Sequence, residues 1–122
     1  MTVQELYQSA LNLIFDKPKS RIYDHYYMDH INSLLAEVFD INNSIRIKVG
    51  KSELTNIPFV TKDNDVIDYE EVVLRDILPW GLAAQLVIDE DLNKFQIYYT
   101  RYSNACNMHN KAIVAEIGDY YV

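Results

Sequence analysis

A chain of 122 residues, about half of them apolar and with few glycines and prolines, suits a single folded domain and excludes a disordered one. Its net charge of −7 argues against binding nucleic acid through phosphates, which takes a basic footprint. One cysteine, Cys106, leaves no intrachain disulfide, and no apolar run reaches the ~18 residues of a membrane span.

Thr2-Val3-Gln4-Glu5 has the form of a capping box, in which Thr2 caps a helix and Glu5 reaches back to the Thr2 N–H. A start of this kind has neither the basic nor the apolar part of a signal peptide, so none is expected. Val3, Leu6, Tyr7, Ala10, Leu13 and Ile14 then form a stripe that predicts a helix over about residues 3–15. Pro18 stops it. Ser20 is placed to cap a second helix with a core face of Tyr23, Tyr27, Ile31, Leu34, Leu35 and Val38, closed at Asn42-Asn43. Beyond it Ile45-Arg46-Ile47-Lys48-Val49 alternates apolar and polar, a strand signal ended by Gly50. Leu54 to Val60 pairs back on it only as an edge, because Pro58 cannot donate. Residues 41–64 are therefore expected as a β or loop insertion. Asp63-Asn64-Asp65 is a turn, and Asp68-Tyr69-Glu70-Glu71 is a second capping box opening a short helix through Val72, Val73 and Ile77.

The chain is organised around a helical hairpin from Leu78 to Ile113. Pro79 suits the first turn of an apolar helix running to Ile88, and Asp89-Glu90-Asp91 makes an acidic turn that caps a longer helix. In that helix Leu92, Phe95, Tyr99, Tyr102, Cys106, His109 and Ile113 recur at alternating steps of three and four, an apolar seam flanked by Tyr98, Ala105 and Ala112. The tight turn makes the two helices antiparallel, and Gly81, Ala83 and Ala84 let bulky tyrosines come close. Past Ile113 the seam is lost, and Gly118 interrupts any regular element. The expected fold is mainly α: a small bundle of about four helices ending in a long hairpin, with one domain over 1–113 and an extended tail over 114–122.

No constellation of titratable groups suggests catalysis. His25 and His30 lie about 140° apart around a helix and cannot share a metal from one face. His25 and Asp29 read as a surface pair. His109 and Cys106 fall on the seam, where burial is the simplest account. Phosphate-binding, dinucleotide-binding, nucleophile-elbow and Cys-x-x-Cys motifs are absent. The sequence predicts a non-enzyme with no cofactor and no metal. Acidic residues concentrate from Asp63 to Asp91, among them Asp65, Glu70 and Glu71, while basic residues gather earlier. Ten tyrosines suggest an interface, and Tyr120-Tyr121 in a terminal segment has little reason to persist unless something covers it.

The segment Ile77-Leu78-Pro79-Trp80-Gly81-Leu82-Ala83-Ala84-Gln85-Leu86, the turn Asp89-Glu90-Asp91, the helix bearing Phe95, Tyr98, Tyr99 and Tyr102, and the ending Ile117-Gly118-Asp119-Tyr120-Tyr121 resemble head–tail connector proteins of tailed bacteriophages, also called adaptor or head-completion proteins. The resemblance covers residues 66 to 122 well and the first two helices loosely. It implies a structural virion protein, made in the bacterial host cytoplasm, that docks as a ring on the portal. By resemblance the ring is a dodecamer, extends the DNA channel, and offers an attachment face to stopper or tail-completion proteins. The portal-docking tail would be Ile117, Asp119, Tyr120, Tyr121 and Val122. Asp63, Asp65, Glu70 and Glu71 would face a channel through which DNA slides without specific binding. No membrane partner is expected, and the free protein is expected to be monomeric because −7 on each copy is repulsive. A second reading is a small acidic helical inhibitor or regulator that binds a host protein.

Overall fold

The structure, a computed structural model, describes residues 1–14 and 26–119, with side chains as far as His109. It is a small helical bundle of five α-helices among the described residues: α1 (Val3–Ile14), α2 (Tyr27–Glu37), α3 (Phe39–Lys48), α4 (Leu78–Val87) and α5 (Leu92–Asp119). A π-helical turn, Val73–Ile77, leads into α4. The stop at Pro18, the cap at Ser20 and the core position Tyr23 lie outside the described residues.

α1 starts where the capping box puts it. The Thr2 N–H donates to Glu5 Oε1 at 3.0 Å, and the Glu5 N–H donates to Thr2 Oγ1 at 3.2 Å. Val3, Leu6, Ala10 and Ile14 are buried, the face that the stripe predicts. α2 buries Ile31, Leu34 and Leu35 in the same way.

The expected strand at Ile45 to Val49 is a helix. α2 gives way at Val38, whose backbone leaves the helical region (φ −101°, ψ 9°), and α3 takes over at once. Asn42 and Asn43 do not terminate it. Both are buried, and their amides bind backbone of the following loop. Ile41 is buried and Ile45 packs beside it at i+4, while Ile47 and Val49 are exposed; the alternation is therefore a helical pattern only two residues deep. Gly50, with φ of 84°, is the left-handed residue after the helix. Its N–H reaches Ile47 O at 3.0 Å and the Lys51 N–H reaches Arg46 O at 2.8 Å, the paired bonds of a Schellman cap. After it the chain runs without a strand to a single antiparallel bridge between Thr2 and Val66.

The two expected helices around Pro79 are one interrupted path. The Leu78 N–H bonds to Val73 O, five residues back, so the ladder widens just before Pro79, which has no N–H to give and whose ring crowds the preceding turn. The helix begins at residue 71, so Asp68 stands too early to cap it. α4 is buried almost all round, through Leu78, Pro79, Gly81, Leu82, Ala83, Ala84, Leu86 and Val87, and packs against α1, α2 and α5. Asp91 caps α5 as expected, accepting the N–H groups of Asn93 and Lys94 at 3.1 and 3.2 Å.

Small residues on α4 do bring the tyrosines close. A Cβ on Gly81 would stand 2.9 Å from Leu34 Cδ2 and 2.9 Å from the Tyr102 ring. The buried line of α5 is nonetheless rotated from the seam. Tyr98 and Tyr102 are buried, whereas Leu92 and Tyr99 are exposed. A strict three–four repeat drifts by about 20° per heptad around a straight helix, so a short α4 covers only one flank of it. The covered flank is the one where the hydroxyls find acceptors: Tyr98 donates to Leu13 O and Tyr102 to Glu37 Oε1, each at 3.1 Å. The extended tail expected from Val114 is also corrected, since α5 stays helical through Asp119. Lys111, Ala112, Ala115 and Glu116 are good helix formers, and Gly118 falls in the last turn, where its cost of ~1 kcal/mol acts on little remaining helix.

Gly81→Ala gains ~1 kcal/mol of helix propensity but overpacks a fixed ring and methyl at a typical cost of about 1–3 kcal/mol, so a net loss of stability is expected. Tyr102→Ala should cost about 3–5 kcal/mol. In urea unfolding the double variant should lose less than the sum, because shortening Tyr102 makes room for the new methyl.

Candidate functional site

Two sets of residues carry the expected site, and the structure treats them differently. Of the docking tail, Ile117 and Asp119 belong to the last turns of α5, and Tyr120, Tyr121 and Val122 lie outside the described residues. α5 has 28 residues and α4 ten, so α5 is ~42 Å long against ~15 Å and outruns its main packing partner.

The acidic set is engaged within the fold. Asp63 accepts the Tyr27 hydroxyl, and its carbonyl takes the Gln4 N–H at 2.9 Å, so it ties the loop to both α1 and α2. Asp65 Oδ2 accepts the N–H groups of Thr61 and Lys62 at 2.8 and 3.0 Å, and these bonds hold its carboxyl below the ordinary carboxylate range. Glu70 lies between Arg46 (3.6 Å) and Lys51 (3.0 Å), the two residues that the Schellman cap brings together, with only 15% of its side chain exposed. Its N–H donates to Asn42 Oδ1 at 2.7 Å. Glu71 is well exposed and meets Arg75 at 2.9 Å, one turn on. Glu70 is thus a neutralised structural carboxylate, which removes it as a bare charge for a channel wall. Asp63 and Asp65 are held instead by hydroxyl and amide donors.

The buried titratable groups are tuned chiefly by burial. Burial pushes the Tyr69 and Tyr102 hydroxyls up, and each donates to the protein, Tyr69 to Leu35 O. It also raises the Cys106 thiol, which disfavours the thiolate and matches the reading of an unreactive seam residue. Burial lowers His30 despite Asp29 and Asp89 nearby. His25 lies outside the described residues. Among the described residues no group of three or more His, Cys, Asp or Glu is placed to hold a metal, and no helix is long and apolar enough to cross a membrane.

Sequence reasoning missed two surfaces. In the first, Asn32 on α2 clamps Val60 at both ends of its peptide: Val60 N–H to Oδ1 and Nδ2 to Val60 O, both at 2.9 Å. Asn43 does the same to Leu54, at 2.8 and 3.2 Å. Between these clamps Ile57 and Phe59 are exposed, Phe59 by 76%. The second is a shallow, open patch on the outer face of α5, formed by Asn93, Gln96, Ile97, Thr100 and Arg101. Arg101 lies over the Trp80 ring, 4.9 Å from its centroid. The available signal was Asn32 and Asn43, polar side chains on core-facing stretches of helix that needed backbone to bind.

Comparisons with protein-family models, curated proteins and solved structures found no match to this chain.

Glu70→Gln leaves Arg46 and Lys51 without their anion and should destabilise by about 1–3 kcal/mol, whereas Glu71→Gln, at an exposed pair, should stay within about 0.5 kcal/mol. Chemical denaturation at equal ionic strength separates the two. His30 makes a pH prediction. Its folded pKa is below the unfolded value, so the unfolded chain binds more protons and stability rises with pH. The contribution is present above the unfolded value of about 6.5 and is lost as pH falls through the folded value. His30→Gln should flatten the stability profile in that window, read from thermal unfolding between mildly acidic and neutral pH.

Proposed function

We propose that this protein is a head–tail connector of a tailed phage, which docks as a ring on the portal and presents a face to stopper or tail proteins. The observation that carries the reading is the length of α5. A helix longer than its packing partner α4 by roughly 27 Å, with Ile117 and Asp119 in its last turn, suits a docking arm on a compact body. The resemblance of residues 66 to 122 to connectors supports it. In this reading the net charge of −7 keeps free copies apart, the portal supplies the compensating contacts, and Asp63, Asp65 and Glu71 discourage DNA from sticking to the channel.

Truncation after Glu116 tests the arm. It removes the last turn of α5 and the terminal residues, so the melting temperature should be nearly unchanged while assembly onto a co-expressed portal, seen by electron microscopy, is lost. Undiminished portal binding would place docking elsewhere on the body. A full-length chain that binds no portal, and instead captures a host protein, would favour the acidic-regulator reading.

A further inference from the structure

The clamped loop presents backbone groups as well as an aromatic ring. Asn32 holds both the N–H and the C=O of Val60 through one amide, each at 2.9 Å, so the two groups lie on the same side of the chain. That is the geometry of extended backbone, in which successive residues turn their polar groups to opposite sides. Exposure alternates in step: Ile57, Phe59 and Thr61 are exposed, Pro58 is half-buried and Val60 is buried. Pro58 suits this form, since its ring fixes its own φ and keeps Ile57 out of the helical region. The polar groups of Val60 turn toward α2, so those of Ile57 and Phe59 turn away from it.

The N–H and C=O groups of Ile57 and Phe59 bond to nothing among the described residues. A proline between them costs this outer side no donor, because the Pro58 nitrogen turns the same way as that of Val60. The run is short. The chain bends at 55–56, and the Thr61 N–H is taken by Asp65 Oδ2 at 2.8 Å. It is also fixed, with Asn43 holding Leu54 before it and Asn32 holding Val60 at its end. An open, anchored edge of this kind is a template for one more strand.

Pattern and charge describe the strand that fits. Ile57 and Phe59 share one face, so a segment beside them covers both with apolar residues two apart. From Lys51 to Glu70 the chain carries Glu53, Asp63, Asp65, Asp68 and Glu70 against Lys51 and Lys62, and the balance stays negative when Arg46, the other cation on Glu70, is added. A second copy is a poor occupant. Antiparallel pairing of Ile57 with Phe59 of another copy brings Glu53 of each toward Asp63 of the other.

We propose that the outer edge at Ile57 and Phe59 takes up an extended segment of another protein by β-strand addition, a segment apolar at alternate positions and flanked by lysine or arginine. Its backbone exchanges hydrogen bonds with Ile57 and Phe59, its apolar residues cover those two side chains, and its cations meet the acidic flanks. The site is distinct from the C-terminal arm of the connector reading and does not rest on it.

Amide hydrogen exchange with a peptide probe tests this. The probe is a synthetic peptide with Thr-Val-Thr-Val-Thr between two lysines on each side, added to the full-length protein up to millimolar concentration at low salt. Without peptide, the amides of Ile57 and Phe59 should exchange freely while that of Val60, held by Asn32, is slowed. With peptide, protection should appear at Ile57 and Phe59. Affinity should fall about tenfold or more when both valine nitrogens are methylated, and much less when the threonine nitrogens are. Glutamates in place of the lysines should also weaken binding. Phe59→Pro, which removes the N–H as well as the ring, should bind more weakly than Phe59→Ala, with melting curves showing that both fold. Absence of protection at Ile57 and Phe59 at millimolar peptide would overturn the proposal, as would protection confined to other residues. Binding that is indifferent to methylation of the valine nitrogens, or to glutamate flanks, would do the same.

Discussion

The fold depends on one close approach. Gly81 lets the Tyr102 ring and the Leu34 methyl come to a position where even a Cβ would collide. That single absence of a side chain joins α4 to α2 and α5 at once. It also decides how α5 is rotated, because Tyr102 over Gly81 turns Tyr98 toward the end of α1 and sends Tyr99 to the surface. Hydrophobic burial drives the contact, and hydroxyl satisfaction selects its register: the Tyr102 hydroxyl finds Glu37 and the Tyr98 hydroxyl finds Leu13 O. A phenolic group without such an acceptor would cost ~1–3 kcal/mol on burial, enough to favour a neighbouring rotation of the helix.

The middle of the chain is held by a different force. Residues 51–66 form no strand, yet their backbone must still find partners. Asparagine side chains supply them, since an amide offers the same donor and acceptor as a peptide group. Asn32 and Asn43 thus do what a neighbouring strand would do, at two points instead of along a ladder. Asn42 completes the set by accepting the Glu70 N–H, while its buried Nδ2 is left without a partner among the described residues, a cost of ~1–3 kcal/mol that the Schellman cap and the Glu70 ion pairs offset.

These two forces explain what was legible in the sequence. The capping box at Thr2, the Asp91 cap, the buried faces of α1 and α2, and the small residues of α4 are local patterns with local causes, and each is visible in a few neighbouring residues. The strand at Ile45 to Val49 misled because five alternating residues fit both periods when only Ile41 and Ile45 are covered. Asn42-Asn43 read as a helix stop because asparagine disfavours helix interiors. Their tertiary partners, Leu54 and Glu70, lie eleven and twenty-eight residues away and outweigh that preference. The seam misled by one residue, Tyr99 for Tyr98, since spacing alone does not say where a hydroxyl will be satisfied.

The acidic surface follows the same logic. Counting carboxylates from Asp63 to Asp91 suggests a uniform negative wall, but charge acts through its neighbours. Glu70 sits between Arg46 and Lys51, Glu71 is paired with Arg75, and Asp65 Oδ2 accepts two amides of its own loop. Asp63 and Asp65, held by hydroxyl and amide donors, lie in the loop that also displays Phe59, and the opposite sign, Lys94 and Arg101, lies on α5. The negative excess is therefore an uneven field, in which the two exposed cations of α5 follow directly on the acidic turn Asp89-Glu90-Asp91. Screening at physiological salt leaves such a field short-ranged, about 8 Å, so it acts at contact and not at a distance.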